Sequence, residues 1–248
     1  MLEESQRKWT LRLAAESAAI VASILLAFSI EAWWADRQEQ IEERRILLAL
    51  QAEFELNLAQ IENQLSYRHV MISSIARMFE VSAGTSKLEP EEVDRLLGHL
   101  LWAGWADFST GAMESLMQGG KLSIIDDEEL RLSLAVLPYW FANVDKMEGF
   151  ELDRLNMDWY PFLYDNAHLP QIMNTMEGQP GAGDNPNPSK IPIGDVQNHS
   201  DILQNSKFIG ILTIERADHN DAIWAYGQLK ERIERAIQII DRELGSDN

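Results

Sequence analysis

The stretch AESAAIVASILLAFSIEAWW, Ala15 to Trp34, restricts this chain more than any other. A run so apolar must be withdrawn from water, either into a protein core or into lipid. Glu16 and Glu31 interrupt it, so only Ser17 to Ile30 is free of charge, about 21 Å of helix against roughly 30 Å of hydrocarbon. The flanks extend the estimate. Trp9 on one side and Trp33 with Trp34 on the other are amphipathic rings of the kind that sit at bilayer surfaces, and they stand about 36 Å apart along a helix. A cleaved signal peptide calls for a short apolar core followed by a small-residue cleavage site; here a Trp pair and a charged helix follow. A retained transmembrane helix over residues 11–35, after a short tail at 1–10, is the expectation, with a signal peptide or a soluble amphipathic helix as its rivals.

Within that helix Glu16 needs a reason, because an ionisable group near the bilayer is costly unless it snorkels, protonates or finds a partner. Successive residues turn by about 100°, which gathers Ala19, Ser23 and Ala27 within about 60° of Glu16. This small, polar face suits close packing against another helix, while Val21, Leu25 and Phe28 on the opposite side suit lipid. The plainer alternative is that Glu16 snorkels beside Arg12 and the alanines are filler. Arg7, Lys8 and Arg12 lie closer to the span than Arg37, Arg44 and Arg45, so the positive-inside rule favours a cytoplasmic N-terminus with the bulk of the chain outside. In a bacterium with two membranes that means an inner-membrane protein with a periplasmic domain.

Residues 36–82 read as a stalk that continues the span. Apolar residues recur at Leu47, Leu50, Phe54, Leu58, Ile61, Leu65, Ile72, Ile75 and Phe79, steps that define an amphipathic helix with coiled-coil-like patterning. Residues 83–248 read as a helical bundle packed on the stalk. Pro90 with Glu91 and Glu92 marks a helix start, with a helical pattern through Trp105. Ser109 or Thr110 is positioned to cap the next helix, Gly119 and Gly120 break it, and Asp126 or Asp127 caps another. Pro138 is expected to kink or stop that one before a helical pattern resumes through Tyr160. Residues 178–200, rich in Gly, Pro and Asn, read as an exposed loop. A terminal helix follows from Ala222, its stripe formed by Ile223, Tyr226, Leu229, Ile233, Ile237, Ile240 and Leu244. The fold class is therefore all-α, a single N-terminal transmembrane helix continuing into an extramembrane bundle.

Three blocks carry a family likeness. Glu16, then ILLAF and EAWWADRQEQIEERR, resemble the opening of an uncharacterised bacterial family of single-span membrane proteins; MESLMQGGKLSIIDDEELRLSLAVL and LKERIERAIQIIDREL are similar to its later blocks. Together they cover about half of the chain. Members of that family have an amide-rich Asn-Asn-Trp-Asn exit from the span, where this chain has Glu31, Ala32 and Trp34. The resemblance implies architecture only; it brings no activity, cofactor or site residue.

The chemistry is sparse. No Cys is present, which removes disulfides and thiolate metal sites. His69, His99, His168, His199 and His219 are scattered, without the spacing that holds catalytic zinc on one helix. Asp126 to Glu129 lacks the pattern of a calcium loop, and QGGKLS lacks the first glycine of a phosphate loop. No metal or cofactor is expected. With 40 acidic against 21 basic residues and a net charge of −19, nucleic acid is an unsuited partner. Trp102, Trp105, Tyr139, Trp140, Trp159 and Tyr160 are the most suggestive residues, open to core packing, a protein contact surface or a ligand pocket. The expected partners are the bilayer and another membrane protein or a second copy of the chain. The expected role is a non-catalytic accessory or scaffold subunit, with an extracytoplasmic small-molecule sensor as the alternative. A membrane-tethered hydrolase is a third possibility, without a motif to carry it.

Overall fold

The computed structural model describes residues 2–175 and 190–246, with side chains from 19 to 175 and from 190 to 245. The side chains of Trp9 and Glu16, and most of the expected loop at 178–200, lie outside the described residues. Every regular element among the described residues is helical.

The first helix, α1 (Leu2–Ser82), is 81 residues long. It contains neither Gly nor Pro; the first glycine of the chain is Gly84 and the first proline Pro90. With no breaker, span and stalk form one helix of about 120 Å. It stops at Gly84, whose φ of 71° is open to glycine at little cost. There the Thr85 N–H reaches Glu80 O and the Gly84 N–H reaches Val81 O, both at 2.9 Å, closing the last turn as a Schellman motif.

From Glu42 onward α1 joins α4 (Glu128–Arg154) and α7 (Ser206–Ser246) in a three-helix bundle. Helix α7 runs antiparallel to α1. Arg44 lies against the carbonyl of Leu244, Glu62 pairs with Lys230 at 3.0 Å, and Ser82 donates to the carbonyl of Leu203. Helix α4 starts at the end of the bundle nearest the exposed apolar section of α1, where Asp127 pairs with Arg242 at 2.7 Å, and rises until Arg154 meets Asp218 at 3.1 Å. Asp127 caps α4, its carboxylate accepting from the Leu130 N–H at 2.7 Å. Pro138 does not stop this helix. A proline inside a helix costs about 3 kcal/mol, whereas Leu134, Leu137 and Phe141 are buried around it at about 1.5–3 kcal/mol each. Helix α7 begins sixteen residues before the expected start at Ala222. The period breaks at Glu215 and His219, polar residues that are nevertheless buried.

The remaining elements clothe α1 and the far end of the bundle. Helix α2 (Pro90–His99) buries Val93, Leu96 and Leu97. It ends six residues short of the expected Trp105, and past a turn at Leu100 and Leu101 residues 102–109 run back down α1 as an extended, non-helical segment. Helix α3 (Gly111–Gln118) follows. A π-turn (Leu155–Trp159), α5 (Tyr160–Asn166) and α6 (Leu169–Met173) extend α4 and close the top.

The extended segment has no strand to pair with, so its backbone groups take partners from a polar row on α1. Gln64 donates to Trp105 O at 2.7 Å, Gln60 exchanges two hydrogen bonds with Asp107, and Asn57 exchanges two with Ser109, at 2.7 and 2.9 Å. The carboxylate of Glu53 accepts from the Ala112 and Met113 N–H groups at 2.6 and 3.1 Å. It therefore caps α3, in place of Ser109 or Thr110. The segment lies so close that a Cβ on Gly104 would stand 2.6 Å from Gln64 Oε1 and 2.7 Å from the Tyr67 ring.

Asn57 is fully buried and serves both backbone polar groups of Ser109. Asn57→Ala is expected to cost about 1–3 kcal/mol, read as a lower denaturant midpoint, and to raise amide hydrogen exchange at Ser109 ahead of that of the α7 core. Protection at Ser109 equal to the parent's would show that the row does not hold the segment.

Candidate functional site

Every side chain from Ala19 to Ile41 is exposed, and α1 is the one helix among the described residues long and apolar enough to cross a membrane. Ala19, Ser23 and Ala27 lie on one open face. The Ser23 hydroxyl donates to the carbonyl of Ala19 at 2.8 Å, as Ser29 does to Leu25, so Ser23 meets its own need for an acceptor inside the helix. What this face offers a neighbour is close approach rather than an unspent proton. Trp33 and Trp34 are both exposed, with ring centroids 6.4 Å apart.

The six aromatic residues do not form one site. Trp102 stacks on Trp105 at 5.7 Å beside α1. Tyr139 meets Trp140 edge-on at 5.3 Å, and Trp140 contacts Trp224 of α7 and lies under the Arg232 guanidinium at 3.9 Å. Trp159 is fully buried against Phe208, with its N–H on Glu215 at 3.0 Å. Tyr160 pairs instead with Tyr164. They lie at separate levels of the bundle because the extended segment carries Trp102 and Trp105, α4 carries Tyr139 and Trp140, and Trp159 and Tyr160 stand where the π-turn passes into α5.

The densest buried chemistry is a charged layer that sequence periodicity did not single out. Arg68 of α1, Glu151 of α4 and Glu215 and His219 of α7 are all buried. Arg68 bonds Glu151 at 3.0 Å. His219 lies between two carboxylates, with Nδ1 3.3 Å from Glu151 and Nε2 3.4 Å from Glu215, contacts that lack hydrogen-bond alignment. The Arg68 guanidinium covers the Tyr226 ring at 4.6 Å, and the Tyr226 hydroxyl bonds Glu148. Two cations thus face Glu151 and Glu215. Burial alone would drive the proton off His219, but the two carboxylates outweigh it and hold its pKa up at about 9. Burial raises Glu148, against the lowering effect of its bonds to Tyr226 and the Ala106 N–H. The layer divides the interior into two hydrophobic cores, one centred on Met71, Leu97, Phe162 and Phe208, the other on Phe54, Leu134, Leu229 and Ile233.

Two further histidine contacts lie at the far end. His199 bonds Asp94 through Nδ1 at 2.5 Å, while its Nε2 accepts from the His168 N–H at 3.0 Å. With both ring nitrogens occupied, this Asp–His pair fastens the start of α6 and leaves no free base. The second contact, Ser74 Oγ to His99 Nδ1 at 2.7 Å, lines a groove of about 1100 Å³ between α1 and α2. Among the described residues no group of three or more His, Asp or Glu is placed to hold a metal ion. Compared with known protein families, curated proteins and solved structures, the chain matches none.

The proton on His219 ties stability to pH. An unfolded histidine titrates near 6.5, below the folded value of about 9, so the stabilisation is complete below pH 6.5 and disappears as pH rises through 9. Between those values this residue should lower the unfolding free energy by up to about 1.4 kcal/mol per pH unit. Denaturant titrations at pH 6.5, 8 and 9.5 would measure the slope, and His219→Gln should flatten it. A parent slope unchanged in the variant would assign the effect elsewhere.

Proposed function

We propose that this chain is a non-catalytic, single-pass inner-membrane protein that acts as an accessory or scaffold subunit by helix packing, with its N-terminus in the cytoplasm and its bundle in the periplasm. The observation that carries the proposal is the outward side of α1. At about 100° per residue, Ala19, Ser23 and Ala27 point about 160° away from Leu50, Phe54 and Ile61, which face the bundle interior. The same outer side continues through Ile41, Leu48 and Ala52, all exposed. Ile41 and Leu48 lie beyond the Trp33–Trp34 belt, where acyl chains do not cover them. A parallel copy, or another single-span helix inserted at the same depth, meets this side both within the bilayer and above it. The nearer position of Arg7, Lys8 and Arg12 supports the orientation.

Ser23→Leu together with Ala27→Leu adds bulk where close approach is required while raising apolarity. The pair is expected to keep the protein in carbonate-washed membranes and to shift it to a smaller species on mild-detergent native gels. Migration identical to the parent's would refute assembly through this face.

The sensor alternative draws on one observation, the groove between α1 and α2, rather than on the dispersed aromatic residues.

A further inference from the structure

The groove beside α1 has a polar floor of unusual construction. Ser74 and His99 are both buried and are joined through Nδ1, while Nε2 of His99 bonds no described residue and the side chain lines the groove. Burial, aided by the neighbouring Arg95, holds the pKa of His99 below its usual value, so the ring is neutral at neutral pH. It offers one fixed polar atom without a charge.

Three ion pairs border the groove: Lys230–Glu62 at 3.0 Å, Arg77–Glu80 at 3.0 Å and Arg95–Glu92 at 3.8 Å. In two of them the base is the less exposed member, Lys230 at 29% against 62% for Glu62, and Arg77 at 42% against 54% for Glu80. The long Arg95–Glu92 contact joins residues three apart on an exposed turn, an arrangement worth only about 0.2–0.5 kcal/mol. Arg95 can therefore exchange its partner at little cost. Leu65, Val70 and Leu96 give the lining its apolar part, and His69 lies on it as well. Ser74 lies forty residues beyond Trp34 on the same helix, about 60 Å, which puts the groove out of reach of lipid headgroups.

We infer that this groove binds a small water-soluble oxyanion, a carboxylate or phosphate compound, with Arg77 and Arg95 as its charge partners and the Ser74–His99 pair as its polar floor. The inference is independent of helix assembly, since binding is counted per chain.

The test uses the full chain in lipid nanodiscs with ¹⁵N-labelled histidine, the His99 signal being assigned by its loss in His99→Gln. Inorganic phosphate and succinate are titrated separately, with sodium chloride at matched ionic strength as a third arm. A saturable His99 shift with phosphate or with succinate, absent with chloride, supports the site and assigns its class. Arg77→Gln with Arg95→Gln should weaken that binding at least tenfold, about 1.4 kcal/mol, without changing the melting temperature, because both side chains are partly exposed. No saturable shift with either probe, an equal shift with chloride, or an unchanged affinity in the double variant would overturn the inference. Repeating the titration on Ser23→Leu/Ala27→Leu protein separates its failure from that of assembly.

Discussion

The structure depends on a single unbroken helix that is exposed and apolar along one section and packed into a bundle along the next. Backbone polar groups cannot be left unpaired in hydrocarbon, and an α-helix pairs them within the segment. The absence of Gly and Pro from residue 2 to residue 82 carries the same pairing from the apolar section into the bundle. No flexible joint lies between the exposed apolar section and the first buried side chain, Leu47. The rotational setting of the span is consequently tied to that of the stalk. Whatever faces the bundle interior at Leu50 determines which face of the span looks away from the bundle, and that is how Ala19, Ser23 and Ala27 come to share a side with Ile41 and Leu48.

The charged layer has a different role. Taking Arg68, Glu151, Glu215 and His219 out of water costs several kcal/mol for each ion, and their attraction does little more than offset it. Removing one member, in contrast, leaves a buried charge unmatched at about 3–5 kcal/mol. Such a layer therefore adds little net stability and penalises misalignment. Each of the three long helices contributes at least one member, so a slip of α4 or α7 by one turn strands an ion against leucine. Apolar packing in the two cores supplies the favourable energy; the layer between them sets the register in which it is collected.

How much of this was legible in the sequence follows from which neighbours decide each feature. Local chemistry was readable: the apolar run, the proline start of α2, a cap at Asp126 or Asp127 and the apolar stripe in the second half of α7 are set by residues a few positions apart. Features decided across the fold were not. The start of α7 was hidden because Glu215 and His219 stand on its buried stripe, where they answer Arg68 and Glu151, residues remote in sequence. The extended run after the turn at Leu100 and Leu101 looked helical because Trp102, Ala103 and Trp105 fit either state, and what selects extension is the Gln and Asn row on α1. Glu53, Asn57, Gln60, Gln64 and Arg68, at steps of four, three, four and four, were a usable signal: a polar row along the edge of an apolar face requires polar partners. The six aromatic residues failed as a cluster because closeness in composition is not closeness in space.

These long-range contacts also build the groove. Gly104 lets the extended segment lie directly on Gln64 and Tyr67, and the hydrogen-bonded row then holds residues 105–109 at fixed positions on α1. The tyrosine hydroxyl donates to Trp102 O at 2.5 Å, extending the hold upward to three residues past the end of α2. From there the chain has little freedom, and His99 comes to rest against Ser74 seven residues beyond Tyr67 on the same helix. The polar floor of the groove is thus a consequence of how α1 satisfies a strandless backbone. A Cβ at position 104 would meet Gln64 and the Tyr67 ring, so either those side chains or the segment must shift, and Tyr67 is the residue that holds the chain just past α2.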